Sequence, residues 1–276
     1  MKELLERLNN VGFERTRRAV AALALSLFVF LYLLVSVNPP SDEWRLAFLA
    51  MAGCYSVAFM GVAAEWFWGR WFATGLGWSG VMVGVASMVM IGWSPVLGIY
   101  AGVHGLVVLT LSGKKMAERF DLQPAWRERY GMDEFGVARL RKTVTRASAS
   151  LPSVILWALA PKEPGQGMLV AALALFSGLS LVGGLRGVLR LHTWGMAALG
   201  ASALGLLAGG VAGLTALGLN RELPGTFGLA VLASGHVPRA LTGEASGLIA
   251  LLGAAFVATA LLPFAGPAAR FLRASR

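Results

Sequence analysis

Apolar residues run almost unbroken through two long blocks, about 19–112 and 148–265. Between them lies the one extended polar stretch of the chain, Lys114 to Ser150. Inside each block the apolar runs approach the roughly 20 residues a helix needs to cross a bilayer. Turns rich in Pro, Trp, Arg or acidic residues separate them. This pattern predicts eight helices, at residues 19–37, 46–64, 73–91, 96–112, 145–160, 168–185, 194–219 and 245–264. The predicted fold class is therefore all-α: a polytopic helical membrane protein of about eight spans, four on each side of a polar connector.

The edges of the pattern carry further detail. Leu4, Leu5, Leu8 and Val11 fall at helical spacing among charged residues, so 1–18 reads as a short amphipathic segment on the membrane surface. The first apolar run is too long for a signal-peptide core and ends in Asn38-Pro39-Pro40, which favours an uncleaved span. Three tryptophans around Arg70 (Trp66, Trp68 and Trp71) resemble an interfacial aromatic belt. The fifth run has an apolar core of only 151–160, with Pro152 inside it, so crossing and re-entry both remain open. Residues 227–238 are apolar but too short to span, and they read as a re-entrant or interfacial segment before Arg239 and Glu244. Gly205, Gly209 and Gly213 put small residues on one face of the seventh run, which allows close backbone approach.

In the connector, Pro124 is placed to open a short helix that Gly131 can end. Asp133 is a candidate N-cap for a second helix from Glu134 onward.

Composition strengthens the membrane reading. Hydrophobic residues make up 57% of the 276 and charged residues 14%, against about 25% charged in soluble domains. The alternating ten-residue segments of an outer-membrane barrel are missing. The net charge of +10 is what topology demands, because basic residues are retained in cytoplasmic loops. With eight spans and both termini cytoplasmic, twenty of the 24 Lys and Arg fall inside, leaving Arg45, Lys162, Arg221 and Arg239 outside. A bacterial inner membrane is the expected location. The two blocks also share an order of basic approach, span, acidic Pro turn, span, Arg-bearing turn and two further spans, which raises a parallel 4+4 repeat. Cys54 is the single cysteine, so neither an intramolecular disulfide nor a cysteine metal cluster is available.

Few residues are placed to do chemistry. Ionisable groups at membrane depth are functional candidates because burying charge there costs at least about 2.5–3.5 kcal/mol. That selects His104 in the fourth run, and His236, Arg239 and Glu244 around the break before the last span, as a candidate substrate path. The competing reading of His104 is a neutral imidazole bonded to a neighbouring hydroxyl or carbonyl. His192, beside Arg190, reads as interfacial.

Gly77-Trp78-Ser79-Gly80 resembles the Gly-x-Ser-Gly pattern of rhomboid intramembrane proteases. That resemblance implies a Ser79–His104 pair, with Ser79 as nucleophile and His104 as base. The upstream His/Asn motif of that family has no counterpart here, and its Ser and His lie on non-consecutive spans. Glu65, Arg70 and Tyr100-x-x-x-His104 resemble the motif order of CAAX-protease-like membrane enzymes, but the second Glu and the later His-x-x-x-Asn are missing. Both patterns compete with a structural reading in which the small residues serve helix packing. No phosphate-cradling loop, Cys-x-x-Cys or His-Glu-x-x-His occurs, so no metal or other cofactor is expected.

The basic connector admits a simple topological role, contact with anionic lipid headgroups through Arg139, Arg141 and Lys142, or docking of a soluble or membrane protein through Trp126, Tyr130 and Phe135. Nothing favours nucleic acid. The expected function is a small transporter or the membrane subunit or scaffold of a larger assembly, with an intramembrane hydrolase as the alternative.

Overall fold

A computed structural model describes residues 13–39, 42–121, 123–131, 133–161, 167–215 and 243–274. Ten α-helices follow one another among them. In the first block these are α1 (Phe13–Val37), α2 (Arg45–Ala63), α3 (Gly69–Ile91) and α4 (Pro95–Leu111). The connector forms α5 (Lys114–Asp121), α6 (Pro124–Tyr130) and the start of α7 (Glu134–Leu159). The second block completes α7 and adds α8 (Gly167–Leu189), α9 (Trp194–Thr215) and α10 (Gly243–Ala274).

The chain is an all-α polytopic membrane protein. Helices α1, α2, α3, α8, α9 and α10 are each long and apolar enough to cross a bilayer. Helix α4, at 17 residues, joins that set only together with α5, from which it is bent by 74°. The bend sits at Gly113, whose φ of +99° is accessible to glycine and strained for other residues.

Packing resolves the helices into two rings of four. In the first, α1 packs on α2, α2 on α3, α3 on α4 and α4 on α1; in the second, α7, α8, α9 and α10 repeat that cycle. The rings join where α7 packs against α3 and, less extensively, α2. Helix α3 approaches α4 through a ladder of glycines: Cβ atoms added at Gly77, Gly80 and Gly84 would strike Val108, the His104 ring and Ala101 in turn. Gly75, on another face of α3, lets α7 in, since its Cβ would collide with Ser148 Oγ and the Thr145 carbonyl. In the second ring Gly205 lies against Ser177 of α8, whereas Gly209 lies against the Trp157 ring of α7. The small-residue face of α9 thus serves two neighbours.

Several elements differ from the sequence expectation. The connector helix expected from Glu134 and the span expected at 145–160 are one continuous helix of 26 residues. Asp133 caps it, accepting from the Gly136 N–H at 2.6 Å, and no glycine interrupts it after Gly136. Its second half looks like a poor span because it faces protein instead of lipid: every residue from Ala147 to Val154 is buried. The hydroxyls of Ser148, Ser150 and Ser153 return to carbonyls one turn back, so a hydroxyl-rich stretch sits in the interior with its polar groups paired. Helix α1 begins at Phe13, so residues 13–18 extend the first spanning helix; the amphipathic stretch before them lies outside the described residues. The segment 227–238 also lies outside them.

Candidate functional site

Two polar clusters stand out, one inside the first ring and one across its end. The first centres on His104, which is 1% exposed. Its Nδ1 lies 2.9 Å from the Tyr100 carbonyl, an acceptor only, so Nδ1 carries the proton. Nε2 is then the acceptor for the Tyr55 hydroxyl at 2.7 Å. The imidazole is neutral, with both nitrogens engaged. Tyr100 and Tyr32 extend the cluster, their hydroxyls 3.4 Å apart, and Phe28 lies over the imidazole at 3.9 Å between ring centres. Helices α1, α2 and α4 thus meet in one aromatic knot, closed on the α3 side by Gly80.

The second cluster was not legible as a unit in the sequence. Arg70, in the first turn of α3, donates from Nε to Asp121 Oδ1 at 3.1 Å and from Nη2 to Oδ2 at 2.5 Å; its Nη1 reaches the Leu111 carbonyl at 3.2 Å. Trp71 Nε1 donates to the same Oδ1 at 2.8 Å, and Arg141 of α7 approaches Oδ2 at 3.5 Å. Asp121 is 3% exposed and Arg70 8%. Beside this hub, Glu65 takes Arg18 of α1 and Arg119 of α5, and Gln123 donates to its carbonyl at 2.8 Å. Glu65 holds a φ of +54°, an uncommon backbone for a non-glycine residue, in the turn where α2 hands over to α3. Arg17 adds a further tie by donating to the Leu109 and Ser112 carbonyls at the end of α4.

The residues singled out from the sequence differ in exposure and bonding. Trp71 is buried as the hydrogen-bond partner of Asp121, whereas Trp66 and Trp68 remain partly exposed as interfacial residues would be. Trp126, expected on a docking surface, is 7% exposed and stacks on Phe67 at 4.1 Å, where burying two apolar rings outweighs exposure. Phe135 is 74% exposed and Lys142 is exposed, whereas Arg139 is half-buried. Tyr130 closes α6. Ser79 is buried next to Gly80 in α3, and the His104 nitrogens are taken by Tyr55 and Tyr100. Glu244 falls in the first turn of α10, and His236 and Arg239 lie outside the described residues. His192 is exposed and stacks with Trp194.

One signal for the hub was present. Asp121 directly follows Phe120, on the face of α5 that Met116 and Phe120 bury, and a carboxylate beside an apolar stripe needs a cation.

Fold and clusters together define a helical integral membrane protein whose polar connector is bonded onto one end of the bundle. No family model matches the chain, and neither a curated protein nor a solved structure matches it.

Proposed function

We propose that this protein is a membrane scaffold, the integral subunit of a larger assembly, which presents its basic connector as a fixed docking platform. The observation that carries this reading is the Arg70–Asp121 hub. A tether between two halves needs no buried ion pair, and burying two charges is favourable only where good geometry and further hydrogen bonds satisfy them. Here the bidentate contact, the Trp71 indole and the Leu111 carbonyl meet that condition. The outcome is a connector held in one orientation, from which Phe135 and Lys142 project. A neutral His104 with both nitrogens engaged, lining none of the three described cavities, favours this over transport or hydrolysis.

We place the connector on the cytoplasmic side of a bacterial inner membrane, in keeping with its nine basic residues. The test is the native mass of the protein extracted from its own membranes in mild detergent. A complex larger than the 29.1 kDa chain is expected, reduced to the single chain by Phe135→Asp/Lys142→Glu without loss of thermal stability. A wild-type protein that runs as a single chain, or a complex untouched by those substitutions, contradicts the reading.

A further inference from the structure

An open apolar groove of about 750 Å³ runs along the seam between the two rings. Helix α2 forms one wall with Cys54 and Val57, α7 the floor with Leu151 and Val154, and α8 the other wall with Leu179 and Val182. The outer walls are themselves exposed: Leu175, Leu179 and Val182 of α8 and Val57 of α2 rank among the exposed large apolar residues. In a spanning protein such surfaces face lipid chains.

One end of the groove differs from the rest. Arg186 and Arg190, one helical turn apart on α8, line it together with Phe67 and Trp68. Both arginines are exposed, and among the described residues no carboxylate lies within ion-pair distance of either. This contrasts with Arg18, Arg70, Arg119 and Arg141, which all reach an acid. From Arg186 to Leu175 the groove follows α8 for eleven residues, roughly 16 Å at about 1.5 Å per residue. One leaflet of hydrocarbon is about 15 Å deep. The two arginines therefore stand at headgroup depth when the apolar walls lie at acyl-chain depth, with the Trp68 indole at the level such rings prefer.

We infer that this groove is a binding site for one anionic phospholipid. Its phosphate is held between Arg186 and Arg190, whose planar guanidinium groups match phosphate oxygens in paired hydrogen bonds, and one acyl chain lies along α8 against α2 and α7. The cavity falls within the roughly 300–1,000 Å³ common for ligand sites. The lipid fills the seam on the α2 side, where α7 packs less extensively than it does on α3, so it serves as a removable part of the joint between the rings.

The experiment is native mass spectrometry of the full chain released from nanodiscs of phosphatidylglycerol and phosphatidylcholine mixed in equal amounts. One phosphatidylglycerol retained per chain, several-fold over phosphatidylcholine, is the expected result. In Arg186→Ala/Arg190→Ala retention falls about thirtyfold, since each basic residue near an anionic headgroup contributes about a factor of five. Arg186→Lys/Arg190→Lys restores part of it. Lys114→Ala/Lys115→Ala, which removes the same charge outside the groove, leaves it unchanged. Gly178→Phe places a ring in the groove and lowers retention of both lipids; a Cβ there meets only ordinary contacts, at 3.7 Å or more, so the helix itself is not strained. Equal retention of both lipids, or full retention by the double alanine variant, overturns the proposal. So does competition by glycerol phosphate as strong as by the intact lipid, or a dimer in which a second copy occupies the groove.

Discussion

Arg70 and Asp121, 51 residues apart in the chain, share a two-point contact that joins the first turn of α3 to the last residue of α5. Asp121 is the common acceptor of two arginines and one indole. Asp121→Asn leaves Arg70 buried without its counter-charge, and breaking one partner of such a pair costs about 3–5 kcal/mol. Unfolding in detergent should show that loss. Because removing both charges is close to neutral, Asp121→Asn/Arg70→Met should recover a large part of it. A double variant as unstable as the single one would show that Arg70 contributes something beyond the pair.

Trp71 and Trp126 belong to the same aromatic group yet differ in their bonding. Trp71 Nε1 donates to Asp121, whereas Trp126 Nε1 is buried and has no hydrogen-bond partner among the described residues. Trp71→Phe loses a hydrogen bond to a charged group, worth about 1.5–3 kcal/mol. Trp126→Phe loses packing area but no hydrogen bond made among the described residues. Melting temperatures should therefore place Trp71→Phe clearly below Trp126→Phe. The reverse order would contradict the assigned geometry.

This contrast shows what the sequence can and cannot carry. Helices α1 to α4 and α8 to α10 follow from unbroken apolar runs, and α6 begins at Pro124 with Gly131 after it at a φ of +57°. These are local signals. Arg70 sits between tryptophans at a span end, where snorkelling to the headgroups and pairing with a distant acid leave the same pattern. Asp121 lies in a basic stretch beside Met116 and Phe120, a position that asks for a cation without saying which one. Only folding brings them together. Helix α7 is the related case: its serines lower its apolar character, but they bond their own backbone inside a protein environment, which hydropathy along the chain does not reveal.

The imidazole of His104 depends on one donor. Tyr55→Phe strips Nε2 of its hydrogen bond and leaves a buried acceptor unpaired, which costs about 1–3 kcal/mol. The cost should be non-additive: Tyr55→Phe in a His104→Leu background should lose appreciably less than in wild type. Equal losses in both backgrounds, measured by unfolding, would show that the two groups do not interact.

Gly75 of α3 lies directly against α7, where the two rings join. A methyl group there meets Ser148 Oγ and backbone of α7, with Ala149 N at 3.1 Å, so the helices must shift. Gly75→Ala should cost about 1–3 kcal/mol by overpacking. Gly53→Ala is the control, because a Cβ at that position meets nothing within 4 Å; the gain in helix propensity should make it neutral or slightly stabilising. Tolerance of Gly75→Ala would contradict this close approach of α3 to α7.

A docking platform requires the connector to be an ordered part of the bundle. Amide hydrogen exchange across α5, Lys114–Asp121, measures this directly. Wild type should protect these amides well above the level of an open chain, and Asp121→Asn should speed their exchange by roughly a hundredfold to a few thousandfold, in line with the loss of the buried pair. Exchange in wild type at open-chain rates, unchanged by the substitution, would mean that the connector is a tether and not a platform.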